Sequence, residues 1–230
     1  MNSNFPMRKQ KKQWKFIGNR RKKRTHMIKN IIFDIGNVLA HFRGYDLLQD
    51  LGMRGEVLET VADATIRSGA MWNEFDRSVM PDKDVIAACV EKAPQYEKEI
   101  HSLFDNIYDI AREYPYAKEW IQGLKDKGYN VYLLSNYGRT AFAATKASLG
   151  FVSLVDGMVI SYEVKKVKPE PEIYQALLNK YGLKPEECIF LDDREENVRA
   201  AEEFGIHGIV FTSKEQADAE LLQKIKFFQR

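Results

Sequence analysis

Four polar clusters could do chemistry together: Asp34, Ser135-Asn136, Lys168 and Asp192-Asp193. Asp34 follows the apolar run Asn30-Ile31-Ile32-Phe33, and Ser135 follows Val131-Tyr132-Leu133-Leu134. Asp192 and Asp193 follow Ile189-Phe190-Leu191, while Lys168 lies in the turn-rich stretch Lys165-Lys166-Val167-Lys168-Pro169-Glu170-Pro171. Short apolar runs alternating with helical patterns predict a parallel sheet. Such sheets bind ligands beyond the carboxyl ends of their strands. Three carboxylates gathered there repel one another unless a cation sits among them. A divalent metal would neutralise them, leaving Ser135 and Lys168 to hold an anion such as phosphate.

The elements that must position these residues can be read in outline. Strands are expected at about 30–34, 130–134, within 154–160, at 188–191 and at about 208–211. Helices are expected at about 117–124, 139–149 and from about Glu170, where Ile173, Tyr174, Leu177, Leu178 and Tyr181 fall at helical spacing and Gly182 stops the run. A further helix should lead from the aspartates to Gly205. The predicted fold is α/β, a doubly wound (Rossmann-like) parallel sheet with right-handed crossovers. Residues 43–114 show no clear strand and exceed an ordinary βα connection. They are expected to form an inserted helical cap that roofs the site, with Asp82 capping the helix through Val85, Ile86 and Cys89. The core would then be 27–42 and 115–230.

Charge divides the chain into two parts. The net charge is +2, yet residues 1–26 hold ten Lys/Arg and no Asp/Glu, which leaves 25 basic and 33 acidic residues from Met27 onward. This leader also lacks the apolar h-region of a secretory signal. Three readings stand: a disordered basic arm able to touch nucleic acid or anionic lipid, a transit peptide, or a stretch outside the native protein with translation starting at Met27. No apolar stretch reaches the ~20 residues of a membrane helix. Cys89 and Cys188 are too few for a disulfide framework or a four-cysteine zinc site and are expected to be reduced, as in a cytoplasmic protein.

The motifs Phe33-Asp34-Ile35-Gly36-Asn37-Val38-Leu39, Leu134-Ser135-Asn136, Val167-Lys168-Pro169-Glu170-Pro171-Glu172-Ile173-Tyr174 and Phe190-Leu191-Asp192-Asp193-Arg194-Glu195-Glu196-Asn197 occur in this order. Over roughly residues 27–212 the chain resembles the haloacid dehalogenase-like hydrolase superfamily, within it the bacterial α-D-glucose-1-phosphate phosphatase branch. The resemblance implies a phosphatase for a small phosphate ester, working as a monomer or weak dimer. Asp34 would be the nucleophile that forms an aspartyl-phosphate. Mg2+ would be held by Asp34, the carbonyl of Gly36, Asp193 and, through water or by orienting Lys168, Asp192. Ser135, Asn136 and Lys168 would bind the phosphate, and Asn197 would orient the aspartate loop.

Gly36 departs from most of the superfamily, which carries a second aspartate there to protonate the leaving group. A sugar 1-phosphate lessens that need, and His41 is a candidate substitute acid. In the cap, Trp72, Phe75 and Arg77 are candidates to face the substrate. Rival readings are a phosphosugar mutase, against which Gly36 argues; a 2-haloacid dehalogenase, against which Asp192-Asp193 argue; and a binding or regulatory protein with an inactive core that uses its basic leader on nucleic acid.

Overall fold

The computed structural model describes residues 27–228. Five parallel strands form the central sheet: β1 (Asn30–Phe33), β4 (Asn130–Ser135), β5 (Gly157–Ile160), β6 (Cys188–Asp192) and β7 (His207–Val210), in the order β5-β4-β1-β6-β7. Asn30 is in register with Asn130 on one side and Cys188 on the other. Side chains alternate between faces along each strand. Ile31, Phe33, Val131, Leu133, Ile189 and Leu191 join one core, and Ile32, Tyr132, Leu134 and Phe190 join the other.

The residues between β1 and β4 supply two short strands, β2 (Ala40–Phe42) and β3 (Ala111–Glu113), which pair antiparallel, Ala40 with Glu113 and Phe42 with Ala111. Between them run α1 (Gly44–Asp50), α2 (Gly55–Ala64), α3 (Gly69–Arg77), α4 (Asp82–Lys92) and α5 (Glu97–Asp105). The helical reading of this insertion holds, but its base is a β ribbon, not the strand-free stretch expected. Asp82 is also not a cap: Pro81 occupies the N-cap position, and the Asp82 carboxylate accepts from the Thr140 hydroxyl on the core.

The sheet's helices are α6 (Ala117–Asp126), α7 (Arg139–Thr145), α8 (Ser161–Val164), α9 (Pro171–Tyr181), α10 (Glu195–Glu203) and α11 (Lys214–Phe228). The helix expected to reach 149 ends at Thr145 and tightens into a 3-10 turn at Lys146–Ser148. Ile173, Tyr174 and Leu177 of α9 fill the second core, while Ile121 and Leu124 of α6 and Leu221 of α11 fill the first. Cys89 and Cys188 are buried and unbridged. No helix of the described residues is long and apolar enough to cross a membrane. The leader readings for 1–26 lie outside the described residues.

Arg43 fastens the insertion at its base. Its guanidinium is buried and donates to the Asp109 carbonyl at 3.0 Å and to the carboxylates of Asp109 and Asp50. Both acids remain partly in water, so their loss of a partner is cheap; burial of the Arg43 stem and the bond to the carbonyl carry the effect. Replacing Arg43 by Ala should lower stability by about 1–3 kcal/mol, measured as a shift in urea midpoint at unchanged m-value.

Candidate active site

The central strands end at the same place. β1 delivers Asp34, β4 ends in Ser135, and β6 ends in Asp192 with Asp193 one residue beyond. One carboxylate oxygen from each of Asp34, Asp192 and Asp193 lies within 4.8 Å of the others. Lys168, from the loop before α9, enters this cluster 2% exposed. Its Nζ is 2.6 Å from Asp192 Oδ2 and 2.7 Å from Asp34 Oδ1.

The two adjacent aspartates point different ways, as successive residues of extended chain do. Asp192 turns inward and is fully buried. It accepts from Lys168, from the Arg194 N–H at 2.9 Å and from Asn197 Nδ2 at 3.0 and 3.1 Å. Asp193 instead lines a cavity of about 210 Å³, with Asp34, Gly36, Ser135, Asn136 and Lys168. Asn136 uses its side chain elsewhere: Nδ2 donates to the Lys168 carbonyl at 3.0 Å and Oδ1 accepts from the Lys168 N–H at 2.7 Å. Both polar atoms of the side chain thus fix the lysine loop.

Charge is unevenly balanced here. Burial opposes the ammonium of Lys168, but Asp192 and Asp34 outweigh it and hold the pKa above its ordinary value. Burial pushes Asp34 up to about 6; Lys168 opposes this, while Asp192 and Asp193 add to it. Burial also raises Asp193, against a hydrogen bond from Asn37 and with Asp192 adding to the rise. Asp34 Oδ1 is deeply buried and meets the Lys168 ammonium as an ion pair. Three carboxylates around one shared ammonium make a donor set of hard oxygens, which suits a small divalent cation.

Other sequence-stated candidates separate. Trp72 lines the cavity. Phe75 does not; it is 2% exposed and packs edge-on against Phe104. Arg77 is also outside, ion-paired to Glu74 on its own helix and to Glu170 on the core. His41 sits half-exposed with Nε2 2.6 Å from Asp46 Oδ2, away from the cavity. Asn197 touches Asp192 as anticipated for a residue that orients the loop. Gly36 has no positive φ, and a Cβ there would meet only Asp34 Oδ2 at 3.9 Å. The backbone therefore does not demand glycine.

Two residues were passed over. Asn37 sits in the left-handed region at φ 56° and ties Asp193 Oδ2, at 3.0 Å, to the Phe42 N–H. Asp76 lines the cavity from α3, buried, one helical turn after Trp72. A carboxylate four residues from Trp72 shares its helix face, so Asp76 follows Trp72 to the cavity once the fold has turned that face inward.

A family model for haloacid dehalogenase-like hydrolases matches residues 28–205. The chain belongs to that family. Among curated relatives, a sesquiterpene phosphatase of Aspergillus oryzae is 26% identical over 86% of this hydrolase and 96% of its own length. A D-ribitol-5-phosphate phosphatase of Bacteroides thetaiotaomicron is 26% identical over 78% of this chain and 89% of its own. The match to phosphoglycolate phosphatase of Haemophilus influenzae spans 45% of that protein. The fold matches a solved haloacid dehalogenase-family enzyme of B. thetaiotaomicron, in complex with magnesium and inorganic phosphate, at TM-score 0.61 and 22% identity, over 81% of this hydrolase and 96% of that chain.

Lys168 is the countercharge of the buried cluster. Lys168→Met would strand Asp192 and Asp34 without it, which costs about 3–5 kcal/mol for a broken buried pair. The loss should be largest at neutral pH in metal-free buffer and shrink as pH falls below 6, where Asp34 takes up a proton. Thermal melts of both proteins from pH 4 to 8 check this.

Proposed function

We propose that this hydrolase is a Mg2+-dependent phosphatase of a small phosphorylated metabolite, working through an aspartyl-phosphate on Asp34. The observation that supports it most is the convergence of Asp34, Asp192 and Asp193 around Lys168, beside Ser135 in one cavity. Asp34, Asp193 and the carbonyl of Gly36 would hold the ion, with Asp192 behind them fixing Lys168. Bound there, Mg2+ would offset the carboxylate repulsion and draw charge from the phosphoryl oxygens.

The chain's own groups then divide the work. Ser135 Oγ and a backbone N–H after β4 donate to phosphoryl oxygens. The Lys168 ammonium stands beside Asp34 and balances the charge gathering on the transferring group. An Asp34 oxygen bonds to phosphorus as the ester oxygen leaves. Water then attacks phosphorus, releases phosphate and restores the Asp34 carboxylate. The paired aspartates disfavour the metal-free dehalogenase reading, and Gly36 disfavours a mutase.

Sugar phosphates are the substrate class we favour, glucose 1-phosphate among them. Asn73 and Arg194 offer polar contacts around the cavity, and one relative is named for a sugar-alcohol phosphate. A second reading, an apolar alkyl monophosphate, is favoured by the wall of Phe42, Ile66, Trp72, Ile110 and Ala111. Relative kcat/KM for glucose 1-phosphate, ribitol 5-phosphate and a prenyl monophosphate separates the two.

The reaction itself has a direct test. Hydrolysis of p-nitrophenyl phosphate should require Mg2+ and stop with EDTA. Asp34→Asn keeps the shape, removes the charge and should abolish turnover in a folded protein. Full activity after exhaustive chelation, or in Asp34→Asn, would reject this mechanism.

A further inference from the structure

The mechanism above leaves one proton unaccounted for. An alkoxide is a poor leaving group, and Gly36 supplies no acid to protonate it. Three carboxylates line the cavity among the described residues: Asp34, Asp193 and Asp76. Asp34 and Asp193 belong to the cation-binding cluster. Asp76 stands apart, on the insertion, and nothing in the mechanism uses it.

Asp76 is held in a built position. The Gly138 N–H, at the start of α7 just beyond β4, favours its ionised form, while burial opposes it. Its carbonyl accepts from Ser161 Oγ at 2.7 Å, and that hydroxyl in turn accepts from the Tyr137 N–H at 2.8 Å. Here α3 presses so closely on the core that a Cβ at Gly138 would lie 2.7 Å from the Phe75 carbonyl. The backbone of α3 is thus held against the core at Asp76, and the buried side chain lines the same cavity as Asp34.

Resting on the phosphatase reading, we propose that Asp76 is the general acid of this enzyme, supplied by the cap in place of the side chain absent at Gly36. As the Asp34–phosphorus bond forms and the phosphorus–oxygen bond to the substrate breaks, the Asp76 proton passes to the leaving oxygen and yields the alcohol. The resulting carboxylate accepts a proton from the water that attacks the aspartyl-phosphate. Phosphate departs, Asp34 is regenerated and Asp76 is again an acid.

The surroundings suit that cycle. Burial pushes the Asp76 pKa up to about 7; the Gly138 N–H opposes this, Asp34 adds to it, and Lys168 and Arg194 oppose it. Tyr137, the neighbouring hydroxyl, is itself pushed up to about 12 by burial and bonds Thr145, so it carries no charge to disturb Asp76. An acid poised near the working pH can both give and take a proton.

The test compares leaving groups in the wild type and in Asp76→Asn, which keeps the shape and removes the acid. With glucose 6-phosphate, kcat/KM should fall about 10²–10⁴-fold, the usual contribution of a general acid, while p-nitrophenyl phosphate, whose leaving group needs no proton, should lose less than about tenfold. Adding Gly36→Asp to Asp76→Asn should recover part of the glucose 6-phosphate activity. In the wild type, kcat/KM for glucose 6-phosphate should decline as pH rises through about 7, a limb missing with p-nitrophenyl phosphate. Folding is checked by melting. A buried carboxylate with a raised pKa weakens the fold as pH climbs, so Asp76→Asn should melt at or above the wild type at pH 8. Equal losses on both substrates, or none, in a folded variant would overturn the role of Asp76 while leaving the phosphatase intact. A wild type that hydrolyses neither substrate would overturn both.

Discussion

A single buried ammonium, shared by Asp34 and Asp192, is the interaction on which the rest of this site depends. Lys168 can be buried only because both carboxylates face it, and Asp192 can be fully buried only because Lys168, Asn197 and the Arg194 N–H all donate to it. Removing any partner would leave a charge in a low-dielectric interior. The constraint reaches into the loops. Asn136 spends its side chain on the backbone of Lys168, and Asn37 spends its own on Asp193. Residues that look able to touch a ligand are thus occupied in aiming those that do.

Much of the core was legible because its physics is local. Apolar runs bounded by turns marked β1, β4, β6 and β7 to within about a residue, since a strand buried on both faces must be apolar throughout. The ribbon of β2 and β3 was not legible. Each is three residues long, His41 and Arg112 are exposed enough to blur any alternation, and the pairing joins positions far apart in the chain. Asp82 looked like a helix cap from its neighbours alone, but a tertiary partner, Thr140, claims its carboxylate.

At the site, the residues within motifs could be placed in advance, whereas those defined by packing could not. Phe75 and Trp72 are three residues apart on α3 and look equivalent in the sequence; only the fold turns Trp72 to the cavity and Phe75 to the aromatic cluster with Phe104. His41 drew attention by its proximity to Asp34 in the chain, yet β2 carries it away to Asp46. Asp76, distant in sequence, is brought to the cavity. A glycine can mark a backbone that no side chain could follow, but Gly36 does not. Its ordinary φ and open Cβ direction show that the missing carboxylate is a matter of chemistry, not of strain.

The β2–β3 ribbon has a consequence for how the chain folds. The central pairing of β1 with β4 joins Asn30 to Asn130, one hundred residues apart. Closing so long a loop is entropically costly and slow. By pinning Ala40 to Glu113, the ribbon removes the insertion from that loop. What remains to be closed is only the short path from Phe33 to Ala40 and from Glu113 to Asn130. To the nascent sheet the insertion behaves as a side branch. Its length and sequence can therefore drift with little effect on assembly of the core, so new specificity can be tried without relearning the fold.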